Sequence, residues 1–97
     1  MSYKITVTGK ADKDEAAIFK YIAEQFGEIY AHRFREKLIH FFHLLSKQPF
    51  VGKPAKNNPA LRVYILNRQN KIVYKVNDEK IIIIRLLNYK TNLSSKY

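Results

Sequence analysis

Seven consecutive residues near the C-terminal end, Ile81-Ile82-Ile83-Ile84-Arg85-Leu86-Leu87, carry six aliphatic side chains and a single charge. Side chains on a strand point alternately to opposite faces, so an apolar run without alternation must be covered on both sides. The run falls well short of the roughly 20 residues that a membrane-spanning helix needs. It therefore predicts a central strand over Lys80–Leu87 in a layered fold. Two shorter segments precede it. Lys71–Val76 alternates Ile72, Tyr74 and Val76 against Lys71, Val73 and Lys75, and Leu61–Leu66 sets Leu61, Val63 and Ile65 against Arg62, Tyr64 and Leu66. Short polar connectors, Asn67–Asn70 and Asn77–Glu79, make the three strands an antiparallel meander.

The N-terminal half has two other periods. Tyr3, Ile5 and Val7 alternate with Lys4, Thr6 and Thr8, which reads as a half-buried strand rather than a signal peptide. Thr8 then offers a helix cap, with Asp12-x-x-Glu15 as a competing capping box one turn later. Ala17, Ile18, Tyr21, Ile22 and Phe26 keep helical spacing until Gly27, which predicts a helix from about residue 10 to 26. Ala31, Phe34, Leu38, Phe41 and Leu45 are spaced three and four apart, predicting a second helix over about 28–46. With only Gly27 between them, the helices should pack antiparallel as a hairpin. Residues 49–60 contain all three prolines and no period, and are expected to form a loop. The expectation is an α+β fold of order β-α-α-β-β-β, with the N-terminal strand and helical hairpin packed on one face of an antiparallel sheet. Its 97 residues should form one domain, 1–97, with the tail 90–97 partly frayed.

Composition narrows the function classes. Without cysteine the chain has no disulfide scaffold, thiol nucleophile or Cys-type zinc site, and a reducing cytoplasm is the expected setting. His40 and His43 lie three apart but have no third ligand nearby, and the three glycines are isolated, so neither a metal nor a cofactor is expected. Asp12, Asp14 and Glu15 read as first-turn acids favoured by the helix dipole. The formal charge of +10 is unevenly spread. Residues 1–45 hold seven basic and six acidic side chains and net +1; residues 46–97 hold eleven and two and net +9. Such asymmetry points to a face made for a polyanion or an acidic partner.

The helices cover one sheet face. The sets Leu61/Val63/Ile65, Ile72/Tyr74/Val76 and Ile82/Ile84/Leu86 are the more apolar and are expected there. The opposite face would then present Arg62, Tyr64, Leu66, Lys71, Val73, Lys75, Ile81, Ile83, Arg85 and Leu87. Monomers rarely expose basic groups mixed with so many aliphatics, so all of these except Ile81 are the candidate partner-binding residues. The alternative is that the tail or the 49–60 loop folds over this face. Arg62 and Arg85 stand out as charges inside apolar strands, where burial without a partner is costly.

One further pattern runs through nearly the whole chain, from about Tyr3 to Tyr89. It comprises Ala11 with Asp14, Ile18-x-x-Tyr21-Ile22-Ala23, Phe26-Gly27, Ala31-x-x-Phe34, Leu38, Leu44-Leu45, Pro49, Gly52-x-Pro54, Leu61-Arg62, Lys71–Val76 and Ile82–Leu87. In this order and spacing it resembles the RelE/ParE superfamily of type II toxins, closest to the ParE, or plasmid-stabilisation, branch. The resemblance implies a cytoplasmic toxin neutralised by a cognate antitoxin through an acidic, partly apolar segment, in a toxin–antitoxin hetero-oligomer without membrane attachment. It implies either of two actions. ParE-like members bind and poison DNA gyrase without enzymatic chemistry. RelE-like members are ribosome-dependent mRNA endoribonucleases, and on that reading Arg62, Arg85, Lys53, Lys56 and Tyr97 are the catalytic candidates. The segment Asn88-Tyr89-Lys90-Thr91-Asn92 carries neither the arginine nor the histidine of the RelE pattern, and it also departs from the His-x-x-Arg with which many ParE-like relatives end this strand; the ParE-like action is the leading expectation.

Overall fold

The computed structural model describes residues 2–88, and the expectations for the tail and for Tyr97 lie outside them. The elements are β1 (Lys4–Val7), α1 (Gly9–Phe26), α2 (Glu28–Lys47), β2 (Lys53–Pro54), β3 (Arg62–Ile65), β4 (Asn70–Asn77) and β5 (Lys80–Asn88). Thr8 caps α1, its hydroxyl accepting from the Ala11 N–H at 3.1 Å, so the earlier of the two candidate caps is used. Gly27 joins the helices at φ 102°, a left-handed backbone angle that favours glycine, and its N–H closes α1 on the Ala23 carbonyl. No helix is long and apolar enough to cross a membrane among the described residues.

The sheet order is β1-β5-β4-β3-β2. The meander is antiparallel as expected, with Val63 opposite Val73 and Ile72 opposite Leu86. The sheet is nevertheless mixed, because β1 joins beside β5 in parallel, Ile5 opposite Ile81. The apolar run is thus an inner strand flanked by β1 and β4, covered by the helices on one face and, over Ile84 and Leu87, by the 55–61 segment on the other. Within the proline-rich loop, Lys53–Pro54 adds a two-residue edge strand that carries no period of its own.

The expected seam of α2 is buried throughout: Ala31, Phe34, Leu38, Phe41 and Leu45. It packs with Leu66, Ile72, Tyr74, Ile81, Ile83 and Leu86 into the main core, and Phe41 stacks on Tyr64 with centroids 4.3 Å apart. Tyr74, fully buried, donates its hydroxyl proton to the Pro49 carbonyl at 2.9 Å and accepts from the Gly52 N–H at 2.8 Å. Gly52 sits so close that a Cβ there would meet the Tyr74 Oη at 2.7 Å. α1 is the shallower helix, with only Ala11 fully buried and Tyr21 and Phe26 more than half exposed.

The face expectation needs correcting for β3 and for part of β5. Ile72, Tyr74, Val76 and Leu86 do face the helices. In β3 it is Tyr64 and Leu66 that do so, while Leu61 and Val63 lie on the other side; in β5 it is Ile81 and Ile83 rather than Ile82 and Ile84. In β5 the cause is a bulge. Tyr74 pairs with Ile83 and Val73 with Arg85, leaving Ile84 without a partner, so the inward parity changes from odd to even within one strand. In β3 the register places Tyr64 opposite Ile72 and so under α2, overriding the slightly greater hydrophobicity of the other set.

Candidate functional site

The corrected faces redistribute the expected partner-binding residues. Tyr64, Leu66 and Ile83 pack beneath the helices. Val73 and Leu87 are buried on the opposite face with Ala55 and Leu61, under the 55–61 segment, with Val63 and Ile84 half-buried around them. The loop alternative is therefore what the fold adopts over this part of the sheet. Lys71 is 9% exposed, and burial pushes its ammonium below the ordinary lysine range. Of the nine, only Lys75 is fully exposed.

The two strand arginines are both engaged. Arg62 donates to the Gly52 carbonyl at 2.6 Å and the Phe50 carbonyl at 3.3 Å, with its guanidinium 4.8 Å from the Phe50 ring. It pins the start of the proline loop to β3. Arg85 reaches α1, where its Nε and Nη2 donate to the two oxygens of Asp14 at 2.6 and 3.0 Å. The same carboxylate accepts the Leu86 N–H at 3.0 Å. This fork-on-fork pair is mostly buried, with side-chain exposures of 21% and 17%, and ties α1 to the bulged strand. Sequence reasoning read Asp14 only as a first-turn acid, although its place in the family pattern, with Ala11 three residues before it, was the available signal. Lys53 and Lys56 are exposed on the loop, and His40 and His43 are exposed on α2.

Beside the Asp14–Arg85 pair opens a groove of about 700 Å³ between α1 and the β3–β4 turn. Ala17, Ile18, Tyr21 and Ile22 form its α1 wall, and Leu86, Asn70, Asn88 and the exposed Arg68 face them. The turn is held by Asn67, whose Oδ1 accepts from the backbone N–H groups of Gln69 and Asn70, both at 2.8 Å. Around the hairpin tip a second cleft of about 240 Å³ continues past Phe26 and Tyr30 to Arg33 and Lys37. Together these make a channel with an apolar α1 wall, a polar wall at the β3–β4 turn and cations at Arg68, Arg33 and Lys37, suited to an amphipathic segment carrying acidic side chains. On the outer flank of the hairpin, Arg35 pairs with Glu15 at 2.6 Å and covers the Phe19 ring at 3.6 Å; the Glu15 hydrogen bond raises its already high pKa.

The ParE toxin of the type II toxin–antitoxin system, parDE, matches this chain as a family over residues 5–92. No curated protein matches it significantly in sequence. Among solved structures it is similar to a chromosomal ParDE toxin–antitoxin system from P. aeruginosa, at 21% identity and TM-score 0.77, covering 90% of this chain and 96% of that one. It is also similar to the YoeB dimer from Staphylococcus aureus, at 18% identity and TM-score 0.66, covering 94% and 100%. A third likeness is to the RelBE2 toxin–antitoxin complex from Mycobacterium tuberculosis, at 17% identity and TM-score 0.63, covering 91% and 99%. At these identities the structures establish the shared fold.

Proposed function

The chain belongs to the ParE toxin family of type II toxin–antitoxin systems, and from that premise we propose that it arrests growth by binding its target, DNA gyrase, rather than by cutting RNA. The supporting observation is the state of its arginines. Cleavage next to a ribose 2′-hydroxyl needs cations aimed at the phosphate together with an acid and a base. Here Arg85 is committed to Asp14 in a two-pronged pair, and Arg62 to two backbone carbonyls. The Asp14 carboxylate offsets the Arg85 charge, and the two Nη1 bonds hold Arg62 against the proline loop. Membership of the ParE family supports the choice of gyrase as the target.

On this reading a cognate antitoxin neutralises the chain by laying an acidic, partly apolar segment into the groove along α1. Arg68 at the rim would take its carboxylates, and Ala17, Ile18 and Tyr21 its apolar side chains.

One pair of assays tests the mode of action. Purified protein is added to a gyrase supercoiling reaction and, separately, to ribosomes translating a defined message. Inhibited supercoiling with an intact message is expected; codon-phased cleavage of the message would overturn the proposal in favour of RelE-like chemistry. For the groove, Ala17→Arg places a bulky cation on an exposed position of α1 and should weaken capture of the product of the adjacent antitoxin reading frame. Unchanged capture by the folded variant would remove the groove from the interface.

A further inference from the structure

A second surface lies on the opposite side of the molecule from the groove. Lys80 and Ile82 point away from the helices, because Ile81 and Ile83 point toward them. Lys4 stands directly opposite Lys80 across the β1–β5 ladder, and Lys75 stands opposite Ile82 across β4–β5. All three lysines are therefore on the outer face, with Lys80 in the middle: Lys4 stands beside it and Lys75 one diagonal step away, roughly 5–8 Å between these neighbouring positions. All three are exposed, and none of their side-chain ammonium groups makes an ion pair or hydrogen bond among the described residues. Like charges set directly opposite in neighbouring strands destabilise a sheet. Six of the eight acids are carried by α1 and α2, and only Asp78 and Glu79, in the turn before Lys80, lie at this end of the sheet.

We infer that Lys4, Lys75 and Lys80 form a binding site for the phosphodiester backbone of nucleic acid. The inference goes beyond the toxin reading and does not depend on which target the toxin poisons. A protein partner needs an apolar centre to its interface. Val7 on β1 is exposed but stands opposite Ile83 and so faces the helix side; the other exposed large apolar side chains lie on the hairpin, the proline loop and β3, whereas Ile82 among the lysines is half-buried. Among the described residues no aromatic side chain stands between the three lysines for bases to stack on, so binding through the phosphates is independent of sequence. An array of flexible ammonium groups on a flat sheet matches a line of phosphates as point charges.

The test is fluorescence anisotropy with a labelled duplex of about 20 base pairs and its single strand, titrated between about 50 and 200 mM salt. The intact chain should bind both, with affinity falling steeply with salt. The variant Lys4→Gln/Lys75→Gln/Lys80→Gln should lose about tenfold or more in affinity. Its log–log salt slope on duplex should be shallower by about 2.7, and on single strand by about 2. A control, Lys10→Gln/Lys13→Gln/Lys20→Gln, removes the same charge from exposed positions of α1 and should retain the slope. Circular dichroism checks that both variants are folded. Equal losses in the two variants would reduce the effect to net charge and overturn the site. So would an unchanged slope in the first variant, or tighter binding of labelled polyglutamate than of either nucleic acid, which would assign the surface to an acidic protein instead.

Discussion

The two faces of the sheet both bury apolar side chains, but by different means and to different extents. On the inner face large side chains from α2, with Ala11 of α1, interlock with β4 and β5, and Tyr74, Ile72, Ile81, Ile83 and Leu45 lose all contact with solvent. On the outer face Val73, Leu87, Leu61 and Ala55 form a far smaller cluster, roofed by an irregular segment rather than a helix. A helix presents a fixed row of side chains, whereas a loop can settle over a gap. The inner face should therefore respond to damage as a rigid core, and the outer face more as an adjustable lid.

Leu86 and Leu87 are adjacent in β5, nearly equally buried at 4% and 6% exposed, and point to opposite faces. Cutting either to alanine should cost about 2–5 kcal/mol, with Leu86→Ala toward the upper end and Leu87→Ala toward the lower. Denaturant unfolding of the two variants measures this. An equal or larger loss at Leu87 would break the comparison, because the roof would then be as stiff as the helical layer. Next in size is Asp14→Ala, which leaves Arg85 mostly buried without its carboxylate. The expected loss is about 1–3 kcal/mol, intermediate between exposed and buried ion pairs, and should shrink when Arg85 is replaced as well in a double-mutant cycle.

A smaller change sharpens how the proline loop is held to the inner face. Tyr74→Phe strips the partner from the Gly52 N–H and the Pro49 carbonyl and should cost about 1–2 kcal/mol. It also carries a pH signature. Burial raises the Tyr74 phenol above its ordinary 10.0, against smaller opposing effects of the Gly52 hydrogen bond and the Arg62 charge. The unfolded chain then ionises first, so the contribution of Tyr74 is intact below pH 10.0 and is lost as the pH rises through the folded value. Lys71 acts in the opposite sense. Its folded pKa lies below 10.5, the unfolded chain holds more protons between the two values, and stability rises with pH across that interval. Stability curves from pH 8 to 11 should therefore lose their alkaline fall in Tyr74→Phe and their preceding rise in Lys71→Met.

Much of this architecture was legible in the sequence. The α2 seam was recovered residue for residue, because spacing of three and four leaves a helix only one face to bury. The antiparallel meander followed from connectors too short for anything else. The inward face of β5 was not legible, because an unbroken aliphatic run has no parity to read and a bulge leaves no mark in composition. Arg62 and Arg85 were rightly singled out as unusual, but their partners, the Gly52 and Phe50 carbonyls and Asp14, lie 10, 12 and 71 positions away and are set by tertiary packing alone. The groove beside α1 was missed because Tyr21 and Phe26 keep the spacing of core residues while the β3–β4 turn stops short of covering them.

The unpaired Ile84 acts as a phase shifter in the chain. On its N-terminal side odd-numbered residues of β5 meet the helices; on its C-terminal side even-numbered ones do. Each half of the strand can therefore change its pattern without constraining the other. Deleting one residue at this point would cancel the shift rather than simply shorten the strand. The downstream residues would keep their partners on β4, Arg85 opposite Val73 and Leu86 opposite Ile72, and the two halves of the strand would join as one regular ladder.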